Sequence, residues 1–409
     1  MSFKQVHKYS QQRGVALIIA LIITTIALTL SAAIIYRQQL HIRLTGNIAS
    51  LGQAYQYASG MEDWAGTILE KDYQDDPKVD SLDEDWATLL PPIPIPGGTM
   101  NGQLFDLQAR INLNSLAEKK RPRQRNNTNT NSNQQSVNQT PQNGNRGQQT
   151  PNNQGNNQQL PPLDIAAVTR ARLTRLIEQT IDPDGDMGPA ENFADILKDW
   201  VDPDQVNGNP GNEPDDNQGG SGSGAESPHY QSLQHPYYSA STMMVSPTEL
   251  RLLKDVDDKV YQKLLPLVAT LPIAERGRPV STAININTAS EEIFKAIGFS
   301  ESAAKNIIKE RDSKEKPDKK AFSSLQEFLE LEDVKNAIPA NPDPNNPPAV
   351  SKDNLTVKSD FFLLQGTVKI NNAQLYINSI LYRKNGKVSV IMRDFSNPQS
   401  FPKTSDSDG

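Results

Sequence analysis

The hydrophobic pattern of the chain is dominated by one uninterrupted apolar run near its N-terminus. Residues 15–35 carry no charged side chain. A run of about 20 apolar residues is long enough to cross the hydrocarbon core of a bilayer as a helix. Lys4, Lys8 and Arg13 precede the run, and positive residues stay on the cytoplasmic side of a membrane. We therefore predict a transmembrane helix over 15–35, with everything after Tyr36 outside the cytoplasm.

Apolar residues continue beyond this run at steps of three and four residues. This spacing is typical of a helix that buries one face. We predict a single helix from Val15 to about Lys71, which at 1.5 Å per residue is about 85 Å long. Its first half would lie in lipid and its second half against a folded domain. The apolar positions of the second half are Leu40, Leu44, Ile48, Leu51, Tyr55, Ala58, Ala65 and Ile68.

Strand patterns occur at two places that are far apart in the chain. Apolar and polar residues alternate in 104–113, which predicts a half-buried strand. The segments 361–370, 374–383 and 387–394 are separated by short turns, and Asn385-Gly386 is a strong hairpin signal. An antiparallel sheet on the exposed half of the helix would bury both apolar faces. The polar side of the first strand would carry Asp106, Gln108, Arg110 and Asn112.

Most of the chain between the two strand regions has helical spacing. An Asn- and Gln-rich tract at 118–161 has almost no apolar residues, so it cannot bury enough surface to fold and is predicted to be disordered. We predict an α+β fold in which a large, mostly α-helical domain at 162–352 is inserted into the sheet domain. The other predicted boundaries are 1–14 for a leader, 15–35 for the transmembrane segment, 36–117 and 353–395 for the sheet domain, and 396–409 for a loose tail.

Composition argues against several classes of function. The chain of 409 residues has 41 Lys and Arg against 48 Asp and Glu, and it has no cysteine. The acidic balance disfavours nucleic acid as a partner, and no disulfide can staple the fold. The four histidines have no zinc-ligand spacing, and no nucleophile stands beside a recognisable base. We therefore expect a protein that is not an enzyme.

Two acidic segments offer oxygen ligands for a hard cation. The first, Asp182-Pro-Asp-Gly-Asp186, has alternating carboxylates around a glycine, but Met187 and Phe193 stand where an EF-hand needs glycine and glutamate. For this segment a solvated acidic turn and a metal loop are equally supported. The second, Asp199-Trp-Val-Asp202-Pro-Asp204, ends a short amphipathic helix.

Residues 284–332 have a pattern like a helix-hairpin-helix, with a turn at Gly298-Phe299-Ser300. In DNA-binding members of that group, the hairpin offers backbone N–H groups to phosphate. Here Glu301 follows the turn and places a negative charge there, while Lys305 and Lys309 supply basic surface. Nucleic-acid binding is disfavoured, and a small helical packing module is the simpler interpretation of this segment. A membrane-anchored extracytoplasmic DNA-uptake receptor is the alternative function.

The boundary Arg13-Gly14-Val15 resembles the prepilin class of leaders. That resemblance implies cleavage between Gly14 and Val15 and N-methylation of Val15 by a prepilin peptidase. Most members carry a glutamate at mature position five, where this chain has Ile19. The large minor pseudopilin of type II secretion, general secretion pathway protein K, also lacks that glutamate. A plain signal anchor is the simpler alternative.

Further segments are similar to the protein K family. They are 107–116, Asp199–Asp204, Gly224-Ala-Glu226 and Asn285–Ala289. The inserted domain of that family binds calcium, so the resemblance implies calcium ligands at Asp202, Asp204 and Glu226, with Asp199 as a further candidate. It also implies a pilin-like fold and a filament-core position for Ile19.

The family resemblance further implies a non-enzymatic minor pseudopilin at the tip of the type II secretion pseudopilus. Such a protein initiates pseudopilus assembly and supports export of folded proteins across the outer membrane. The implied partners are the minor pseudopilins I and J, the major pseudopilin, the inner-membrane assembly platform and prepilin peptidase. The implied location is the inner membrane of a Gram-negative bacterium, with one span and the bulk in the periplasm.

Overall fold

The structure, a computed structural model, describes residues 13–89, 91–117, 164–185, 188–202, 227–275, 278–313, 321–338 and 350–396. These residues form two compact units. The first, here the sheet unit, draws on Met1–Asp72, Asp85–Phe105 and Leu363–Gln399. The second, here the helical unit, draws on Tyr73–Glu84, Asp106–Phe362 and Ser400–Gly409. The predicted disordered tract at 118–161 lies outside the described residues.

The described residues contain the following helices and strands. The helices are α1 (Arg13–Asp75), α2 (Ile165–Leu176), α3 (Ala190–Val201), α4 (Ser227–Gln231), α5 (Asp258–Leu264), α6 (Glu291–Ile297), α7 (Glu301–Arg311), α8 (Leu325–Leu329) and α9 (Glu332–Ala337). The strands are β1 (Ile93–Ile95), β2 (Gly98–Asp106), β3 (Ile111–Asn112), β4 (Val268–Ala269), β5 (Ala274–Glu275), β6 (Arg278–Pro279), β7 (Ile284–Asn285), β8 (Leu355–Thr356), β9 (Phe361–Ile370), β10 (Ala373–Lys384) and β11 (Lys387–Asp394).

Helix α1 is continuous over 63 residues, which confirms the predicted single helix. Every side chain from Val15 to Ala49 is exposed. Burial begins near Ser50, so the predicted apolar face is wrong from Leu40 to Tyr55, because the sheet covers only the last part of the helix. The buried stripe steps by three and four residues, as a helix on a sheet requires, and consists of Ala54, Ala58, Met61, Ala65 and Leu69.

The sheet that receives this stripe has the strand order β1-β2-β9-β10-β11. Met61 occupies a hollow that two glycines create. A Cβ atom on Gly102 or Gly366 would lie 2.6 or 2.5 Å from the Met61 sulfur, closer than such atoms approach in proteins. The absence of side chains at these two positions therefore lets α1 lie close to β2 and β9.

Two ion pairs join α1 to the last strands of the sheet. The Arg393 Nε donates to both oxygens of Glu62 at 2.8 and 2.9 Å, and the Ser379 hydroxyl also donates to Glu62. The Arg383 side chain is 2% exposed and donates to Asp72 Oδ2 at 2.8 Å. Each pair joins an arginine of the sheet to a carboxylate of α1, and because the two pairs lie about three helical turns apart they fix the rotation of α1 over β10 and β11.

Strand β11 contains a bulge. Ile380 pairs with Met392 while Leu381 pairs with Val390, which leaves Ile391 without a partner on β10. Val388 lies against Gly66 of α1, and Arg393 contacts Glu62 of the same helix. These two side chains are an odd number of residues apart, and strand residues alternate faces. The extra residue of the bulge therefore turns Arg393 back towards the helix.

The helical unit is built from short helices around one apolar core. Several of these helices have an N-cap residue whose side-chain oxygen accepts a hydrogen bond from a backbone N–H of the first turn. Examples are Asp164, Asp257 and Ser290. These bonds satisfy N–H groups that have no partner within the helix. After α2 the chain continues as a π-helix, Ile177–Ile181. The Lys263 ammonium donates to the Ile181 carbonyl at 2.7 Å, so a backbone carbonyl at the C-terminal end of this π-helix has a hydrogen-bond partner.

The predicted strand over 104–113 is wrong in its second half. Strand β2 ends at Asp106, a turn of 3₁₀ helix follows, and β3 pairs in parallel with β4 of the helical unit. Gln108 and Asn112, expected on a solvent-facing side, are buried at 2% and 3% exposure. Both keep their hydrogen bonds: Gln108 donates to the Ala283 carbonyl and Asn112 to the Leu271 carbonyl. The alternation of polar and apolar residues was misleading because a polar side chain need not face solvent. Amides such as those of Gln108 and Asn112 can be buried when protein groups replace water as their hydrogen-bond partners.

Candidate functional sites

The proposed processing residues lie at the beginning of α1. Gly14 and Val15 are within the helix, and Val15 is 60% exposed. Ile19 follows one turn later and is 51% exposed. The described part of the chain contains one helix that is long and apolar enough to span a membrane, Val15–Asp75, and none of its most apolar window is buried. Nothing in the described fold covers the apolar half of α1.

The second candidate site is the C-terminal end of α3. Phe193, Leu197 and Trp200 fix this helix in the core, and the Trp200 indole donates to Glu249 at 3.3 Å. Asp199, on the last turn, is 2% exposed. Asp202 is the C-cap residue and is half-buried. The structure therefore places Asp199 and Asp202 at one helix end, while Asp204 and Glu226 lie outside the described residues.

The chain returns close to the same helix end at Ser227. Tyr230, in α4, meets Trp200 edge to face at 5.3 Å between ring centroids. The Ser227 hydroxyl lies 2.8 Å from the Ser239 hydroxyl, which lies 3.2 Å from that of Ser241. Residues 202 and 227, which flank the undescribed segment, are thus both tied to the neighbourhood of Trp200.

These residues fit a hard cation by their donor chemistry. The side chains that the structure describes here offer carboxylate and hydroxyl oxygens, and calcium takes six to eight oxygen ligands. Burying an ionised carboxylate such as Asp199 is costly unless a cation or hydrogen-bond donors compensate it. Asp202 is accessible enough to contribute from the rim. The described residues of this site are therefore compatible with calcium.

The helix-hairpin-helix-like turn is closed by the chain itself. The N–H groups of Gly298 and Phe299 donate to the Phe294 carbonyl of α6, and the Ser300 hydroxyl accepts from the Ala303 N–H at 3.2 Å. Glu301 pairs with Lys305, and the hydrogen bond from Lys305 lowers the pKa of the Glu301 carboxyl. An ionised carboxylate and occupied amides at the turn disfavour phosphate binding there.

A buried polar cluster around Asp106 was missed from the sequence. Its Oδ2 accepts from Thr288 Oγ1 at 2.5 Å, Ser359 Oγ at 2.6 Å and Asn285 Nδ2 at 3.1 Å. Its Oδ1 accepts from the Gln108 N–H at 2.7 Å. Burial raises the pKa of Asp106 to about 6, against the opposing effect of these donors. The motif Asn285–Ala289 was recognised, but nothing in it indicated a carboxylate partner 179 residues away.

The described architecture is pilin-like: a long N-terminal helix lies on an antiparallel sheet, and the chain leaves that sheet after β2 and returns to it at β9 with a helical unit in between. The predicted fold class is confirmed. Over residues 213–273 the chain matches the family model described as type II secretion system (T2SS), protein K.

Relatives and a solved structure agree with that match. Type II secretion system protein K of Pectobacterium carotovorum subsp. carotovorum is 27% identical, covering 94% of this chain and 97% of that protein. The protein of the same name from Pseudomonas aeruginosa is 26% identical, covering 94% of this chain and 92% of that protein. A chain in the crystal structure of the GspK-GspI-GspJ complex from the enterotoxigenic Escherichia coli type 2 secretion system has the same fold, with a TM-score of 0.59 at 22% identity. That alignment covers 86% of this chain and 99% of that one. The resemblance to protein K is confirmed.

Proposed function

We propose that the chain is a minor pseudopilin, not an enzyme, that stands at the tip of a type II secretion pseudopilus. The observation that carries the proposal is similarity to protein K relatives over 94% of the chain, joined to a pilin-like fold with a large inserted unit. In this role it initiates pseudopilus assembly in the inner membrane and supports export of folded proteins across the outer membrane. The bulk of the chain then lies in the periplasm.

The proposed partners are the minor pseudopilins I and J. Support comes from the similar chain that was crystallised in a GspK-GspI-GspJ complex. The exposed half of α1 supplies an apolar surface for helices of neighbouring subunits. The major pseudopilin, the assembly platform and prepilin peptidase complete the proposed set.

Cleavage after Gly14 tests this function directly. Mass spectrometry of the protein purified from its host should find N-methylated Val15 as the first residue. An intact leader, or cleavage after Ala33, would contradict the pseudopilin assignment. Ile19→Glu should leave the fold intact, because Ile19 is exposed, and should bring no gain in secretion. A clear gain would contradict the tip position, since a first subunit has no subunit ahead of it to pair with that glutamate.

We further propose that calcium binds at Asp202, Asp204 and Glu226, with Asp199 as an additional ligand. When bound, the ion would supply the positive charge that several carboxylates need in order to lie together. The chain's own contribution is to hold Asp199 and Asp202 on the end of a helix whose position is fixed by Trp200.

Calcium binding is measured as the change in melting temperature between calcium and chelator. The parent should melt at a higher temperature with calcium, and Asp202→Ala and Glu226→Ala should abolish that difference. Asp184→Ala is the matched control, since it removes an exposed carboxylate from the other acidic turn. If the parent melts equally in chelator, or if Asp184→Ala alone abolishes the shift, the calcium site is not where we propose.

A further inference from the structure

A short cationic segment follows the apolar run of α1. Between Val15 and Met61 there is no acidic residue, and the basic ones are Arg37, His41 and Arg43. All three side chains are exposed. Among the residues that the structure describes, neither arginine forms an ion pair. We name these three residues the basic collar.

The second half of the same helix treats charge differently. Glu62 pairs with Arg393 and Asp72 with Arg383, both within the sheet unit. Two acidic residues of α1 thus meet cations of the fold, whereas among the described residues the collar arginines meet no anion. An exposed cation needs no partner in water, but the two arginines at the end of a membrane span lie where anionic lipid headgroups are concentrated.

The heights of the collar residues match a headgroup layer. The apolar run of 21 residues from Val15 to Ile35 is about 31 Å long, close to the thickness of a bilayer core. Beyond Ile35, Arg37 lies about 3 Å further along the axis, His41 about 9 Å and Arg43 about 12 Å. Tyr36, 71% exposed, stands at the level where aromatic side chains are enriched at membrane interfaces.

The angular spread of the collar also favours lipid over a protein partner. At about 100° per residue, Arg37 and His41 lie about 40° apart on one side, and Arg43 lies about 120° away on the other. The three side chains therefore cover an arc of about 160°. A neighbouring helix would contact one stripe, whereas headgroups surround a helix on all sides.

We propose that the basic collar binds the phosphates of anionic phospholipids in the leaflet at the C-terminal end of the span. This inference rests on the proposed function in requiring that α1 spans a membrane, and its effect on the depth of the helix also requires the proposed cleavage after Gly14. Each arginine near an anionic surface should favour anionic over zwitterionic lipid about fivefold.

The collar has a consequence for how the helix is held. Lys4, Lys8 and Arg13 lie before the proposed cleavage point, so the cleaved chain keeps only its N-terminal amine as a positive group on that side. No side-chain charge lies between Val15 and Tyr36. The collar would then set the depth of the helix from the outer side, and withdrawal of the helix in that direction moves no charged side chain across the bilayer.

The test uses the full-length chain in vesicles. Because the chain has no cysteine, Gln39→Cys gives one site for a fluorophore between the collar residues. Quenching is compared in phosphatidylcholine vesicles that contain either brominated phosphatidylglycerol or brominated phosphatidylcholine. The parent should favour phosphatidylglycerol at least fivefold, and the double variant Arg37→Gln with Arg43→Gln should reduce the preference to about one.

Lys71→Gln is the matched control, because it removes one exposed cation from the same helix, 3.9 Å from Asp85, and should leave the preference unchanged. Equal quenching by both lipids in the parent would overturn the collar proposal while leaving the membrane span intact. Absence of quenching by either lipid would instead show that the span is not in the bilayer, which contradicts the proposed function. A preference for phosphatidylglycerol that survives the double variant would also overturn the proposal. If the double variant instead fails to co-purify with the minor pseudopilins I and J, the collar binds a protein partner and the lipid proposal is wrong.

Discussion

In the sheet unit, two ion pairs are prominent among the polar contacts of α1, whereas in the helical unit most buried polar contacts are hydrogen bonds of neutral amides. Glu62 and Arg383 are the charged examples. Asn114 is a neutral one: its Nδ2 donates to the Met244 and Leu271 carbonyls, and its Oδ1 accepts from the Met244 N–H. Charged groups are also buried in the helical unit: Asp106 is a carboxylate surrounded by neutral donors, and Arg172 donates to the Ser351 and Asp353 carbonyls.

The difference reflects what each region must join. A helix that lies on a sheet has its backbone groups already satisfied, so long charged side chains make the specific contacts. The segments of the helical unit that are distant in sequence leave backbone N–H and C=O groups unpaired inside the fold, and buried backbone groups need partners. An amide side chain carries both a donor and an acceptor, so it satisfies these groups without burying charge.

Breaking an ion pair of the sheet unit should lower stability more than any other change considered for the two units. Arg383→Met keeps an apolar side chain of similar length but leaves Asp72 without its arginine, so it should destabilise the sheet unit by about 3–5 kcal/mol. Hydrogen exchange of the detergent-solubilised full-length chain should become faster in peptides from β9 to β11. Lys71→Met, which removes an exposed cation of the same helix, should change exchange little. Equal effects of the two variants would mean that the Arg383 pair has no special weight.

The next effect concerns pH and the helical unit. The pKa of Asp106 is raised by burial to about 6 in the folded chain, from an ordinary value of 3.8. The folded state therefore holds this proton more tightly than the unfolded state. The resulting stability is fully present below about pH 3.8, and it is lost as the pH rises through about 6. The total is about 3 kcal/mol, at about 1.4 kcal/mol per pKa unit.

Asp106→Asn replaces the titrating carboxyl with an amide, so this contribution to the pH dependence of stability disappears. The difference in unfolding free energy between variant and parent should change by about 2.4 kcal/mol between pH 4 and pH 7, with the variant relatively more stable at the higher pH. Exchange of peptides covering 284–297, corrected for the intrinsic effect of pH, reports the change. A difference that stays constant across this range would show that Asp106 titrates as it does in the unfolded chain.

The smallest of the three effects comes from one neutral amide. Asn114→Ala leaves buried backbone groups of Met244 and Leu271 without their side-chain partner, which should cost about 2 kcal/mol at any pH between 5 and 8. The control is Asn306→Ala, which removes an exposed amide that donates to Asp333 at 3.3 Å. If the loss of stability in Asn114→Ala depends on pH, the buried amide of Asn114 is coupled to the titration of the buried Asp106.

The elements with strong local signals were predictable. Asn371 and Asn385 have φ of 49° and 52°, and Gly386 has a φ of 75°, the backbone that two-residue hairpins require. The predicted hairpins are therefore confirmed at β9 to β11. Helices α6 and α7 were predictable for a similar reason, because Ser290 and Ser300 cap their first turns.

Contacts between distant segments were not predictable in the same way. Gln108 was expected on a solvent-facing side because polar residues alternated with apolar ones. The structure satisfies its amide with the Ala283 carbonyl and the Asp360 N–H, and nothing within 104–113 indicates either partner. At the candidate metal site, the acidic motif indicated the ligand chemistry, whereas the core position of Asp199 depends on Trp200 and on residues that lie far along the chain.

The bulge at Ile391 makes deletions in β11 more damaging than most substitutions there. Substitutions in β11 alter one side chain each, but loss of a single residue there would exchange the two faces for everything that follows. Arg393 would then point away from Glu62, and a buried carboxylate would lose its guanidinium although every residue type had been kept. We expect lineages of this protein to preserve the length of this strand and Arg393, and to vary more at its other positions.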